Sequence, residues 1–127
     1  MYRLCFQRDF TARHFLVGGD WGEENKPHPH DYRIEWELRA PTLDAHGYLV
    51  DLLDVERRLG ETLGRYSGAL LNDLAEFAGL NPSLERFAKL LWERLSKSPL
   101  PGIRSAVRLW ENESAWAGYE EPVPGSG

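Results

Sequence analysis

The chain has 127 residues, 42% hydrophobic and 28% charged, with a formal net charge of −5. That suits one globular domain with a real core and argues against a nucleic-acid partner, which selects for a basic face. No run approaches the roughly 20 apolar residues of a membrane span. The N-terminal MYRLCFQRDF lacks the apolar stretch of a secretory signal, and the lone Cys5 leaves no internal disulfide. The expectation is a cytoplasmic protein with one domain over residues 1–120 and a flexible tail over 121–127.

Residues 2–15 alternate. Tyr2, Leu4, Phe6, Phe10 and Ala12 share one parity, and Arg3, Gln7, Asp9, Thr11 and Arg13 the other. That is the period of a half-buried strand; Cys5 and Arg8 break it, so a bulge or twist is expected there. Residues 16–27, LVGGDWGEENKP, read as a Gly- and acid-rich loop. From 32 to 39 the alternation returns, with Tyr32, Ile34, Trp36 and Leu38 opposite Arg33, Glu35, Glu37 and Arg39. PTLDAHG makes a turn with His46 in solvent, and GYLVDL reads as a short extended piece.

Leu52, Val55, Leu59, Leu63 and Tyr66 then recur at helical spacing and predict a helix over 52–66. Asn81-Pro82 predicts the start of a second helix, with Asn81 as its N-cap. The apolar face of that helix is Leu84, Phe87, Ala88, Leu91 and Leu95, and SPLPG stops it. Ile103, Ser105, Val107 and Leu109 alternate with Arg104, Ala106, Arg108 and Trp110 as a third strand, and SAWAGYE over 114–120 makes a fourth. The order ββααββ predicts an α+β fold: two helices between two hairpins, packed on one face of a four-stranded antiparallel sheet.

Parity also places the histidines. His28 and His30 share the apolar side with Tyr32, Ile34 and Trp36, and His14 shares it with Phe10 and Ala12. If the first two strands form a hairpin across the 16–27 loop, all three imidazoles converge on one side. Three histidines with one open position is the usual catalytic zinc arrangement. The plainer alternative is that each is a hydrogen-bonded residue at the rim of the core, since an HxH pair alone is a weak signal.

FTARH (10–14), HPHDY (28–32), GYLVDL (47–52), LLND (70–73), NPSLE (81–85) and VRLWENESA (107–115) occur in the order seen in one family. In these segments the chain resembles the 6-pyruvoyl-tetrahydropterin synthase and 6-carboxytetrahydropterin synthase family over nearly its whole length. The resemblance implies the tunnelling fold, a zinc ion held by His14, His28 and His30, and a glutamate, Glu111, that grips the guanidine-like edge of a pterin. A carboxylate there accepts two parallel hydrogen bonds, as it would from arginine. It also implies a homo-oligomer, trimer or hexamer, with sites between subunits. Without the resemblance, Glu111 reads first as a solvated strand end, although it continues the parity of Val107 and Leu109.

The chain departs from that family's pattern at the proton-transfer residues. The family's cysteine general base falls on Glu24, the Asp-His pair that completes its relay falls on Ser67 and Gly68, and the glycine of its HGH motif is Pro29. Two readings follow. In one, the chain is a lyase of this type acting on a dihydroneopterin-like side chain, with Glu24 or Glu23 as base; some members carry Glu in place of Cys and release a 6-hydroxymethyl product. In the other, it is a zinc- and pterin- or purine-binding paralogue serving as a binding or assembly protein, and Glu24 is a fourth ligand or a solvated acid. If the substrate carries a triphosphate, Arg13, Lys26, Arg104 and Arg108 are the candidate partners.

Overall fold

The computed structural model describes residues 1–97 and 100–122. Most of the expected tail, and the Ser98-Pro99 part of the helix stop, lie outside those residues. The elements in chain order are β1 (Tyr2–His14), β2 (His28–Ala40), α1 (Leu52–Tyr66), α2 (Leu84–Leu95), β3 (Arg104–Asn112) and β4 (Ala115–Glu120), with short 3-10 turns at Gly22–Asn25, Leu71–Asp73 and Ala75–Phe77. The strands form one antiparallel sheet in the order β1-β2-β3-β4.

Phe10, Ala12, Tyr32, Ile34, Trp36, Leu38, Val107 and Leu109 face the helices and are buried. Val55, Leu59, Leu63 and Tyr66 of α1, and Phe87, Ala88, Leu91 and Leu95 of α2, close over them. The strand period of two and the helix period of 3.6 thus meet in one apolar layer. The opposite face of the sheet carries charge, including the pairs Arg33–Asp9, Arg39–Glu37 and Arg108–Glu35. No described helix is long and apolar enough to cross a membrane.

Two expectations are corrected, at the bulge and at the second helix cap. The β1–β2 register runs unbroken from Tyr2↔Ala40 to His14↔His28, so no bulge forms at Cys5 or Arg8. Arg8 is accommodated on the helix side by reaching out to Glu56 of α1 at 3.4 Å. Residues 47–51 lead into α1 as read, and Asp51, extended at φ −75° and ψ 114°, caps the helix by accepting from the Leu53 amide at 3.0 Å. The second helix begins at Leu84, with Ser83 rather than Asn81 as N-cap. The Asn81 side chain is committed elsewhere: its Oδ1 accepts from the Val17 amide at 2.7 Å and its Nδ2 donates to the Val17 carbonyl at 3.2 Å. His46, as expected, sits exposed in a turn, where its amide donates to Asp44 Oδ1.

Candidate metal centre

The β1–β2 hairpin sets the site. His14 and His28 are direct cross-strand partners, and Ala12 opposite His30 puts the third imidazole one pleat along the same face. The ring centroids form a near-equilateral triangle: 4.6 Å for His14–His28, 4.6 Å for His14–His30 and 4.8 Å for His28–His30. One ligand atom from each residue lies within 4.8 Å of the other two. The continuous register is what matters, since a one-residue slip would throw the members onto opposite faces.

The surroundings orient the rings. His28 Nδ1 lies 2.9 Å from the Lys26 carbonyl. A carbonyl only accepts, so Nδ1 carries the proton and the Nε2 lone pair is available. His14, 6% exposed, has Nδ1 2.9 Å from the Tyr32 hydroxyl. Burial, and the two neighbouring imidazoles after it, push its pKa from 6.5 down to about 4, so it is neutral at physiological pH. Burial, with the Glu111 carboxylate second, pushes the Tyr32 phenol above its usual range and keeps it protonated. Outside the hairpin, Asn72 clamps the chain just past His14: its Oδ1 accepts from the Phe15 amide and its Nδ2 donates to the Phe15 carbonyl, each at 2.9 Å.

Glu111 joins the cluster from β3. Parity puts it on the helix side beyond Leu109, at an irregularity where the β3–β4 register shifts between Trp110 and Asn112. Its Oε1 stands 3.2 Å from His30 Nε2 but out of line for a hydrogen bond, which leaves that buried nitrogen with no partner. An orphaned imidazole nitrogen facing two other imidazoles fits a borderline-soft cation such as Zn²⁺ better than it fits a packed rim.

Two cavities open on the cluster. One, of about 180 Å³, is lined by His14, Leu16, Glu24, His28, Pro82, Ser83, Leu84 and Glu111. The other, of about 850 Å³, opens where β3 parts from β2 beyond the Arg33–Trp110 pair, and reaches His30, Tyr32 and Glu111. Glu24 therefore shares a cavity with two histidines and Glu111, but it is exposed and outside the three-residue donor set. Ser67 and Gly68 close α1: Ser67 is its C-cap, and Gly68 takes φ +76° and donates its amide to the Thr11 carbonyl at 2.6 Å. Neither residue can move a proton as His does. Of the candidate phosphate partners, Arg13, Lys26, Arg104 and Arg108 line neither cavity.

The positioning groups Tyr32, Asn72, Asn81 and the Lys26 carbonyl were missed by residue-level reading of the sequence. Asn72 and Asn81 do lie in LLND and NPSLE, so their only signal was the ordered set of segments. Tyr32 looked like one more core aromatic.

Residues 3–122 match the family described as 6-pyruvoyl tetrahydropterin synthase. An Archaeoglobus fulgidus protein, provisionally assigned as a 6-carboxy-5,6,7,8-tetrahydropterin synthase, is 28% identical over 108 residues, covering 85% of this chain and 86% of that one. The structure of Caenorhabditis elegans 6-pyruvoyl tetrahydropterin synthase superposes with a TM-score of 0.80 at 21% identity, over 96% of this chain and 98% of that one. A Plasmodium vivax 6-pyruvoyltetrahydropterin synthase in which a catalytic glutamate is replaced by alanine gives 0.74 at 14% identity, over 96% and 98%. At these identities the two structural likenesses speak for the fold.

Proposed function

The chain belongs to the 6-pyruvoyl tetrahydropterin synthase family and has its tunnelling fold, and from that premise we propose a zinc-dependent enzyme that acts on the side chain of a dihydropterin. The observation that carries this reading is the triangle of His14, His28 and His30, with the Glu111 carboxylate 3.2 Å from His30 Nε2. His14, His28 and His30 would hold the zinc, which would supply Lewis-acid chemistry there when bound. Glu111 accepts paired N–H bonds from the ring and so fixes which side-chain atoms meet the cluster. Glu24, at the rim of the cavity it shares with His14 and His28, takes the side-chain proton. The Plasmodium vivax relative, described with a catalytic glutamate, supports a carboxylate in that part. Because Glu24 is exposed, the desolvation that makes a carboxylate a useful base has to come from the bound ligand or from a second copy of the chain.

Self-association belongs to the same reading. The edge strands β1 and β4 and the charged, helix-free face of the sheet offer contact surfaces to further copies, as a trimer or hexamer needs.

The isosteric change Glu24→Gln tests the assignment. Conversion of 7,8-dihydroneopterin substrates by the zinc-loaded protein should fall by about 100-fold or more, with zinc still bound at one per chain. Unchanged turnover removes Glu24 from the role. No turnover by the unaltered zinc-loaded protein favours the binding or assembly paralogue.

A further inference from the structure

β1 ends at His14, yet the next three residues keep the bonding habit of a strand. In an extended chain the amide and carbonyl of one residue point to one edge, and those of the next residue to the other. Phe15 and Val17 turn theirs to Asn72 and Asn81, whose carboxamides each accept from the amide and donate to the carbonyl. A carboxamide offers an acceptor and a donor side by side, so it stands in for the peptide group of a missing strand. Leu16 turns the other way, into the loop. Its amide donates to the Glu24 carbonyl at 2.8 Å, and its carbonyl accepts from Asn25 Nδ2 at 3.0 Å.

The Asn25 side chain reaches further. Its Nδ2 also donates to the Gly19 carbonyl at 3.0 Å, and its Oδ1 accepts from the Trp21 amide at 2.7 Å. One side chain thereby ties the exit of β1, the outward run of the loop and the 3-10 turn at Gly22–Asn25. The Glu24 carboxylate is exposed and makes no hydrogen bond or ion pair among the described residues. Its place in the cavity with His14 and His28 is therefore set through its backbone, at its own carbonyl by the Leu16 amide and at the next residue by the Asn25 carboxamide. The Lys26 carbonyl that orients His28 follows directly, so the base and a metal ligand share one frame.

We infer that Asn25 is a positioning residue: by pinning its turn to the Leu16 carbonyl just past β1, it holds Glu24 beside the histidines. The inference rests on the reading of Glu24 as the base and names what sets that base in place.

The test is a double-mutant cycle on the zinc-loaded full chain, with hydrogen exchange on the zinc-free one. Asn25→Ala should lower kcat on a 7,8-dihydroneopterin substrate by about 10- to 100-fold with KM within about threefold, since a misplaced base costs rate and not ground-state binding. On the Glu24→Gln background the same change should cost less than about twofold, because the group it positions is gone. Amides of residues 15–25 should exchange at least about tenfold faster in Asn25→Ala, with those of β3 and α2 unchanged. Asn25→Asp, which keeps the acceptor for Trp21 and loses both donors, should behave like Asn25→Ala. An unchanged kcat in Asn25→Ala, an equal loss in both backgrounds, or unaltered exchange overturns the inference and leaves Glu24 as the base. Unchanged turnover in Glu24→Gln alone, or none by the unaltered protein, overturns the reading of Glu24 and this inference with it.

Discussion

Two polar clusters sit beside the same core and are built on opposite plans. Glu76, with its side chain 10% exposed, is an acceptor surrounded by donors: Arg65 Nε at 2.8 Å, Arg65 Nη2 at 2.6 Å, the Tyr66 hydroxyl at 2.9 Å and Arg94 Nη2 at 2.8 Å. It ties α1, the turn before α2 and α2 together, and each of its charges faces an opposite one, although the buried Arg94 Nε itself has no hydrogen-bond partner. The histidine cluster gathers three bases that can donate little to one another, and His30 Nε2 is left with no partner. Opposite charges paired in this way stabilise the fold, whereas like bases gathered without an acid among them cost stability unless a ligand completes them. The pairing of opposite charges, more than burial, separates the Glu76 cluster from the candidate functional one.

The sharpest way to break this contrast is His30→Ala. Zinc affinity should fall by more than about 100-fold, because one of three ligands is gone. The zinc-free protein should lose less than about 1 kcal/mol, because the change removes a ring nitrogen that had no hydrogen-bond partner. Metal analysis after dialysis reads the first, and denaturant unfolding with chelator the second. A large loss of metal-free stability would place the histidines among the structural polar groups.

Glu76→Ala should show the reverse pattern. It strands two guanidinium groups and a buried hydroxyl, so unfolding free energy should drop by about 3 kcal/mol while zinc stoichiometry stays at one. The same residue gives the network a pH signature. The Arg65 bonds, ahead of the Tyr66 and Arg94 contributions, hold the Glu76 carboxyl far below its usual 4.5. Above pH 4.5 folded and unfolded chains are both ionised there, and the stabilisation is complete. Below it the unfolded chain takes up the proton first, so stability declines as the pH falls toward the folded value. Urea titrations across that range should show a decline that Glu76→Gln largely removes.

The two clusters also differed in how legible they were. The histidines could be placed from the sequence because strand parity and a hairpin are local: once the strands through Phe10 and Tyr32 were read, His14, His28 and His30 had to share a side. The helix from Leu52 to Tyr66 was legible for the same reason. The Glu76 network was invisible, since it depends on three separate segments meeting and has no period. The start of α2 was misread because Asn81 and Ser83 are both good caps two residues apart. What decided between them was that the chain after β1 needed Asn81 to satisfy the Val17 amide and carbonyl. Arg8 was misread as a mark of irregularity because the sequence does not show Glu56 within reach of it.

Tyr32 belongs to both worlds and gives the finest test. Its ring stacks on Phe10 at 5.3 Å and meets Phe87 edge-on at 5.3 Å, so it is core. Its hydroxyl meets His14 Nδ1 at 2.9 Å, so it is also part of the candidate metal centre. A hydroxyl can donate or accept, unlike the Lys26 carbonyl that fixes His28. It can therefore serve His14 in either tautomer, accepting from Nδ1–H when Nε2 is given to the metal. Tyr32→Phe keeps the ring and deletes only that bond. Zinc affinity should weaken by about tenfold, as for other groups that orient a ligating imidazole. The metal-free fold should lose about 1 kcal/mol or less. Unchanged zinc affinity would make Tyr32 a packing residue alone. His14 would then owe its orientation to the strand pairing and to the Asn72 clamp on the residue that follows it.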